Sequence, residues 1–172
     1  DTLLEDATLD KQYYEGGRVD IVQAVPKTVK TLLSIGCGSG TTEGNLVSRG
    51  VDVTAIPMDR VIGQTAASMG IRVLPPSIDS ALRLLSGERF DCILLNDVLC
   101  HLREPEMLLQ KIGPMLKDEG RLIVSSPNGG GLRSIRHRRV SALRRIFVDQ
   151  LKQYQEVRYH LAGLSHIRRW FD

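Results

Sequence analysis

The sequence predicts an α/β fold in which helices cover both faces of a doubly wound, mainly parallel sheet. Short aliphatic runs without polar–apolar alternation, typical of strands covered on both faces, lie at 31–35, 51–56, 71–74, 90–95 and 121–125. Segments of helical period separate them, at 19–25, 41–49, 60–69, 78–85 and 106–116. Strands that alternate with helices require right-handed crossovers. The 172 residues fit a single domain, 1–172.

The composition is that of a globular protein without membrane character. The hydrophobic share is 42% and the charged share 25%. Apolar runs stay well short of the roughly 18 residues that a membrane helix needs, and residues 1–6 lack the pattern of a signal peptide. We therefore expect no membrane span and a cytoplasmic location. The three cysteines form no CxxC pair, which predicts reduced structural thiols and no metal site.

Basic residues are concentrated in the last part of the chain. Residues 1–127 carry 13 basic against 17 acidic side chains, whereas residues 128–172 carry 10 against 3. The latter segment begins with a glycine-rich loop and continues as a basic amphipathic helix over 132–151, expected to cover the acceptor side. Arg138 and Arg139 are candidates for binding a phosphate-bearing substrate. A solvated helix face or an RNA contact are the alternatives, although aromatic platforms for nucleic acid are scarce.

A glycine-rich turn is the most informative motif. Gly36, Gly38 and Gly40 follow the first strand directly and precede a helix, the context in which such a pattern predicts a nucleotide site. Glycine permits positive φ and a close approach of the backbone to a ligand. The third glycine of the dinucleotide fingerprint would fall on Thr41, which argues against NAD or FAD.

The turn resembles motif I of the class I, Rossmann-like S-adenosylmethionine-dependent methyltransferases. The runs 90–105, 116–128 and 163–171 are also similar to motifs of this family, in particular of the subgroup often found beside glycosyltransferases. The resemblance spans about residues 12–172. It implies strand order 3-2-1-4-5, a ligand crevice at the carboxyl ends of strands one and four, and S-adenosyl-L-methionine as cofactor.

The resemblance also implies roles for particular residues. It assigns cofactor binding to Gly36, Cys37, Gly38 and Gly40 and to Asn96 at the end of the fourth strand. Adenine contacts are expected from the segment after the third strand, namely Ser77, Ile78 and Asp79. Asp79 is equally interpretable as a residue that caps or begins the following helix.

The chain departs from the family pattern at two places. Pro57 stands where the second strand should end in the acid that binds the ribose. The next acidic residue, Asp59, lies two positions further along the chain. Asp59 is a candidate for the ribose and equally for the N-cap of the next helix. The family's last two strands are absent from the sequence, which predicts that strand five is covered by residues 132–172, by a second copy in a homodimer, or by a larger parent polypeptide.

Two histidines are candidate catalytic bases. Methyl transfer depends mainly on positioning, but a hydroxyl acceptor benefits from a base. His101 follows the fourth strand and His166 lies in the segment expected to close over the pocket. His101 is also interpretable as a structural histidine at a helix start.

The sequence thus predicts a methyltransferase that acts on a small-molecule, saccharide or nucleotide-linked acceptor. A catalytically silent binding or assembly module and an RNA methyltransferase are the alternatives.

Overall fold

The computed structural model describes residues 17–125, which form one five-stranded sheet with five α-helices and two 3₁₀ turns. The strands are β1 (Thr31–Cys37), β2 (Asp52–Pro57), β3 (Arg72–Val73), β4 (Phe90–Asn96) and β5 (Leu116–Ser125). The helices are α1 (Val19–Ala24), α2 (Thr41–Val47), α3 (Arg60–Ala67), α4 (Ile78–Leu84) and α5 (Pro105–Ile112). The strand order is β3-β2-β1-β4-β5 and every pairing is parallel. The predicted fold class and strand order are confirmed.

Each face of the sheet packs against its own set of helices. Alternate residues of a strand point to opposite faces, so Leu33 and Ile93 join the cluster that includes α4 and α5. Leu32 and Leu94 join the cluster that includes α1, α2 and α3. The central strands are buried on both sides, which explains why their sequences do not alternate.

Two predicted boundaries near the end of the described region are wrong. Helix α5 ends at Ile112 rather than at residue 116, because Pro114 lacks the N–H that would continue it, and a 3₁₀ turn, Gly113–Met115, follows. Strand β5 begins at Leu116, not at residue 121. Leu116 pairs with Phe90, and the intervening residues bulge out of register before pairing resumes.

Some predictions fall outside residues 17–125. They concern the basic segment 128–172 and the absence of the last two strands, and they stay predictions. Within residues 17–125, no helix combines the length and apolar character needed to cross a membrane.

A partly buried carboxylate ties the amino ends of three strands together. Asp91 at the start of β4 accepts hydrogen bonds on Oδ2 from the backbone N–H groups of Lys30 (3.0 Å) and Thr31 (2.8 Å) and from the Thr31 hydroxyl (3.0 Å). Its Oδ1 accepts from Lys117 Nζ of β5 at 2.9 Å. The Lys117 bond first, and the Thr31 backbone bond next, hold the pKa of Asp91 well below its usual range.

Asp91→Ala is expected to destabilise the fold by about 1–3 kcal/mol, because two backbone donors lose a charged acceptor. Because the pKa of Asp91 is lower in the folded than in the unfolded chain, its contribution is complete above the unfolded value of about 4 and is lost as the pH falls below it. Urea unfolding at neutral and acidic pH measures this. Asp52→Ala, which removes an exposed carboxylate from the start of β2, is the control. Equal losses in the two variants would contradict the role of Asp91.

Candidate functional site

The glycine turn adopts a conformation that the chain's own packing imposes at two of its three glycines. Gly36 has φ +93°, and a Cβ there would lie 2.6 Å from the Asn96 carbonyl oxygen. Gly40 has φ +84°, and a Cβ there would lie 2.6 Å from the Cβ of Ala66 in α3. A side chain at either position would meet both backbone strain and a steric clash. These two glycines fix the turn against β4 on one side and α3 on the other.

Gly38 differs from its neighbours in the turn. Its φ lies outside the left-handed region, and a Cβ built on it would have no atom within 4 Å. Neither backbone conformation nor packing within residues 17–125 requires a glycine at this position. The absence of a side chain leaves the backbone of the turn open to a ligand.

The end of β4 faces the glycine turn. Asn96 is the last residue of β4, and Asp97 follows with φ +53°, an uncommon conformation for a residue other than glycine. Ser125, the last residue of β5, holds this turn, because the Asp97 N–H donates to its hydroxyl at 3.0 Å. The Ser125 hydroxyl in turn lies 2.7 Å from Asp97 Oδ1 and 3.0 Å from Asn96 Oδ1.

A small pocket opens between these two turns, and we call it the turn pocket. It is lined by Gly36, Gly38, Ser39, Gly40, Thr41, Thr42, Glu43, Asn96 and Asp97. Its volume is about 40 Å³, so it can enclose one polar end of an elongated ligand rather than a whole nucleoside. The structure therefore brings together four of the predicted cofactor-binding residues, namely the three glycines and Asn96.

Glu43 is a pocket residue that the sequence analysis missed. It lies in the first turn of α2 with only 1% of its surface exposed, and its Oε1 accepts a hydrogen bond from Ser34 Oγ at 2.7 Å. Burial raises the pKa of Glu43, while the Ser34 bond opposes this effect. Glu43 is three positions before the buried Leu46 and so shares its helix face, which is the one available sequence signal.

Arg18 and Thr42 also went unnoticed in the sequence. The Arg18 N–H donates to Thr42 Oγ1 at 3.0 Å, which ties the start of α1 to α2. The Arg18 guanidinium lies 3.5 Å from Asp97 and pairs more closely, at 2.7 Å, with Asp20. A single basic residue in a loop carries no recognisable motif, so nothing in the sequence singles out Arg18.

His101 ends the short 3₁₀ turn Leu99–His101 that follows β4. Its backbone N–H donates to the Val98 carbonyl at 2.9 Å. Burial lowers the pKa of His101, and the nearby Asp97 carboxylate partly offsets this effect. The imidazole is therefore neutral at pH 7 and able to accept a proton.

The residues around the expected ribose position have structural roles. Pro57 ends β2, pairs with Cys37 after a shift in register and is buried. Its ring packs so closely on α3 that a Cβ on Gly63 would lie 2.6 Å from the Pro57 Cβ. Asp59 caps α3, because its Oδ1 accepts from the N–H groups of Val61 (2.7 Å) and Ile62 (2.9 Å). The N-cap interpretation of Asp59 is thus correct, and a ribose contact stays a prediction.

The three residues predicted to contact adenine lie apart from the turn pocket. Ser77 precedes α4, and its side chain forms no capping hydrogen bond. Ile78 and Asp79 line a groove of about 400 Å³ between α4 and α5, which we call the α4–α5 groove. Asp79 Oδ1 accepts from Lys111 Nζ at 2.6 Å, and this bond lowers the pKa of Asp79.

The two cysteines with described side chains are buried free thiols. Burial raises the pKa of Cys92 to about 11 and that of Cys37 further, in the latter case with help from Glu43. Any contact of Cys37 with a ligand would therefore involve its backbone. Over residues 17–125 no group of three His, Cys, Asp or Glu side chains is arranged to hold a metal ion. His166, Arg138 and Arg139 lie outside the described residues.

The chain is similar to known methyltransferases in sequence and in fold. It is 32% identical over 101 residues to a ubiquinone biosynthesis O-methyltransferase of Azorhizobium caulinodans, with 56% of this chain and 40% of the relative covered. It resembles the structure of a SAM-dependent methyltransferase from Archaeoglobus fulgidus, with a TM-score of 0.70, 15% identity, and coverage of 90% of this chain and 64% of the other. The plantazolicin methyltransferase BpumL in complex with SAH gives a TM-score of 0.60 at 22% identity, with 87% and 57% covered. At these identities the two structures support the fold alone.

The chain spans less than half the length of the curated relatives that it matches. The family match, by contrast, covers almost the whole chain, since the sequence model described as a methyltransferase domain matches residues 12–171. Together with the parallel sheet and the glycine turn, this match shows that the chain belongs to the methyltransferase domain family.

Proposed function

We propose that this chain is an S-adenosylmethionine-dependent methyltransferase that acts on a small-molecule, saccharide or nucleotide-linked acceptor. The observation that carries the proposal is Gly38, a position where neither the backbone conformation nor the packing within residues 17–125 requires a glycine. A backbone left open in this way suits the close approach of a ligand. The name of the relatives and the family match are consistent with this activity.

The donor set of the turn pocket suits the amino-acid end of this cofactor. An amino acid carries an ammonium group that needs acceptors and a carboxylate that needs donors. The pocket offers the Asn96 amide and the Asp97 and Glu43 carboxyls, together with the hydroxyls of Ser39 and Thr41, which are 2.9 Å apart. Both kinds of partner are therefore available within one small volume.

The rest of the cofactor would extend from the turn pocket along the carboxyl ends of the strands. Asp59 would reach the ribose through Oδ2, because both of its capping bonds use Oδ1. Ser77, Ile78 and Asp79 remain the proposed adenine contacts. When bound, the cofactor supplies a sulfonium methyl that is already activated for transfer, so the protein mainly has to position it.

A catalytically silent binding module is the second candidate, and Pro57 is the observation that favours it. Proline offers no acceptor, and the packing of its ring on Gly63 fills the place of the expected acid with hydrocarbon. The loss of a charged acceptor costs on the order of 1.5–3 kcal/mol, or about ten- to a hundredfold in affinity. The two candidates therefore differ in whether S-adenosylhomocysteine binds.

Calorimetric titration with S-adenosylhomocysteine tests the site. We expect binding by the unmodified chain and at least about tenfold weaker binding by Gly38→Ala, because the new methyl group would occupy the open face of the turn. Gly113→Ala is the matched control, since a Cβ at Gly113 also has no neighbour within 4 Å but lies far along the chain in another turn. Thermal unfolding should show both variants to be folded. Absence of binding by the unmodified chain at millimolar ligand would favour the silent module.

The acceptor is further proposed to be a hydroxyl group. His101 is proposed as the base that takes its proton. The relatives are named O-methyltransferases, and a neutral imidazole at the end of β4 is suited to take a proton from a hydroxyl. Outside the described residues, His166 remains a second candidate base, and Arg138 and Arg139 remain candidates for a phosphate group on the acceptor.

His101→Gln is expected to lower turnover by about 10²- to 10⁴-fold and to leave the affinity for S-adenosylhomocysteine within about twofold. The measurement is enzyme-dependent formation of S-adenosylhomocysteine with a panel of phenolic and saccharide acceptors. Because burial lowers the pKa of His101, activity should persist to a lower pH than an ordinary histidine would allow. Unchanged turnover in the variant would remove His101 from the reaction.

A further inference from the structure

A buried carboxyl group lies at the wall of the turn pocket. Glu43 reaches this position from α2, with 1% of its surface exposed, and its Oε1 accepts from the hydroxyl of Ser34. Ser34 lies in the middle of β1 and is itself fully buried. The pair therefore occupies the interior beneath the glycine turn. Burying a carboxyl group there costs free energy that burying an apolar side chain would not.

Among the residues that the structure describes, no positive charge is paired with Glu43. None of the ion pairs found within residues 17–125 includes Glu43. Among the described residues, the ionisable groups that the structure places near Glu43 include the buried Cys37 thiol of β1, Asp97 in the same pocket and, beyond Asp97, Arg18. Asp97 already lies beside the Arg18 guanidinium, whereas the hydrogen bond to Glu43 comes from a neutral hydroxyl. Within residues 17–125, Glu43 is thus the pocket carboxyl without a paired cation.

We propose that Glu43 receives the α-ammonium group of the ligand's amino-acid end and releases a proton to solvent when that ligand binds. The inference rests on the proposed function, because it takes the ligand to be the cofactor or its demethylated product. No covalent bond changes. The ammonium group stays protonated, and the proton that leaves comes from the Glu43 carboxyl.

The direction of proton movement on binding follows from how a bound cation changes the pKa of Glu43. Burial raises the pKa of Glu43 in the free protein, and a cation in the pocket favours the carboxylate and so lowers that pKa. Protons are therefore released at pH values between the bound and the free pKa. Affinity rises with pH through this interval and becomes constant above it.

Calorimetry with S-adenosylhomocysteine, at each pH in two buffers that differ in ionisation enthalpy, measures the released protons; phosphate and Tris form the pair near neutral pH. We expect a buffer-dependent heat for the unmodified chain. Glu43→Gln should bind about ten- to a hundredfold more weakly and lose the buffer dependence. 5′-Methylthioadenosine, which lacks the amino-acid end, should bind without proton release.

Two control variants separate Glu43 from other carboxylates. Asp97→Asn changes the second pocket carboxyl and should keep the proton release, whatever its affinity. Glu106→Gln changes an exposed acid on α5 and should keep both the release and the affinity. Loss of proton release in Asp97→Asn, but not in Glu43→Gln, would assign the proton to Asp97 and overturn the proposal.

Ser34→Ala provides a second test that retains the carboxyl group. Because the Ser34 bond lowers the pKa of Glu43, its removal should move the interval of proton release to higher pH. Buffer-independent heats for the unmodified chain across pH 5–9 would overturn the proposal but leave the cofactor site intact. Absence of any binding would instead reject the proposed function, and this inference with it.

Discussion

The close approach of the glycine turn to the end of β4 is the constraint on which the site depends. Strands β1 and β4 are adjacent in the sheet and pair in register from Leu32 with Cys92 to Ile35 with Leu95. The end of β1 therefore meets the end of β4 at a distance that admits no side chain on Gly36. The turn pocket is the space that remains once this contact is made, so its position follows from the sheet and not from loop flexibility.

Two features of the site that lower the stability of the fold lie beside its most completely buried strands. Asp97 has a left-handed backbone, and Glu43 buries a carboxyl without a charged partner in the described structure. Each feature is destabilising in isolation. The fully buried central strands and the Asp91 hydrogen bonds at the opposite end of the sheet provide the stability that offsets them.

The sequence predicts the fold better than it predicts the site. Local patterns, such as those of the buried strands and the glycine turn, can be recognised in the sequence alone. The strand order is predicted from the family resemblance. The bulge of β5 is not visible, because pairing of Leu116 with Phe90 depends on contacts distant in sequence. Glu43 was missed for a related reason: an acid in the first turn of a helix normally faces solvent. Asp59 has a confirmed capping role, which sequence reasoning offered only as one of two possibilities.

The most direct test of the account is to map where the cofactor product binds. Amide chemical shifts of the ¹⁵N-labelled chain would be followed during titration with S-adenosylhomocysteine. The largest changes are expected at two places that are distant in sequence, namely Gly36, Gly38 and Gly40 and then Asn96 and Asp97. Changes confined to the α4–α5 groove, or no changes at millimolar ligand, would contradict the claim that the glycine turn and the end of β4 form the binding site.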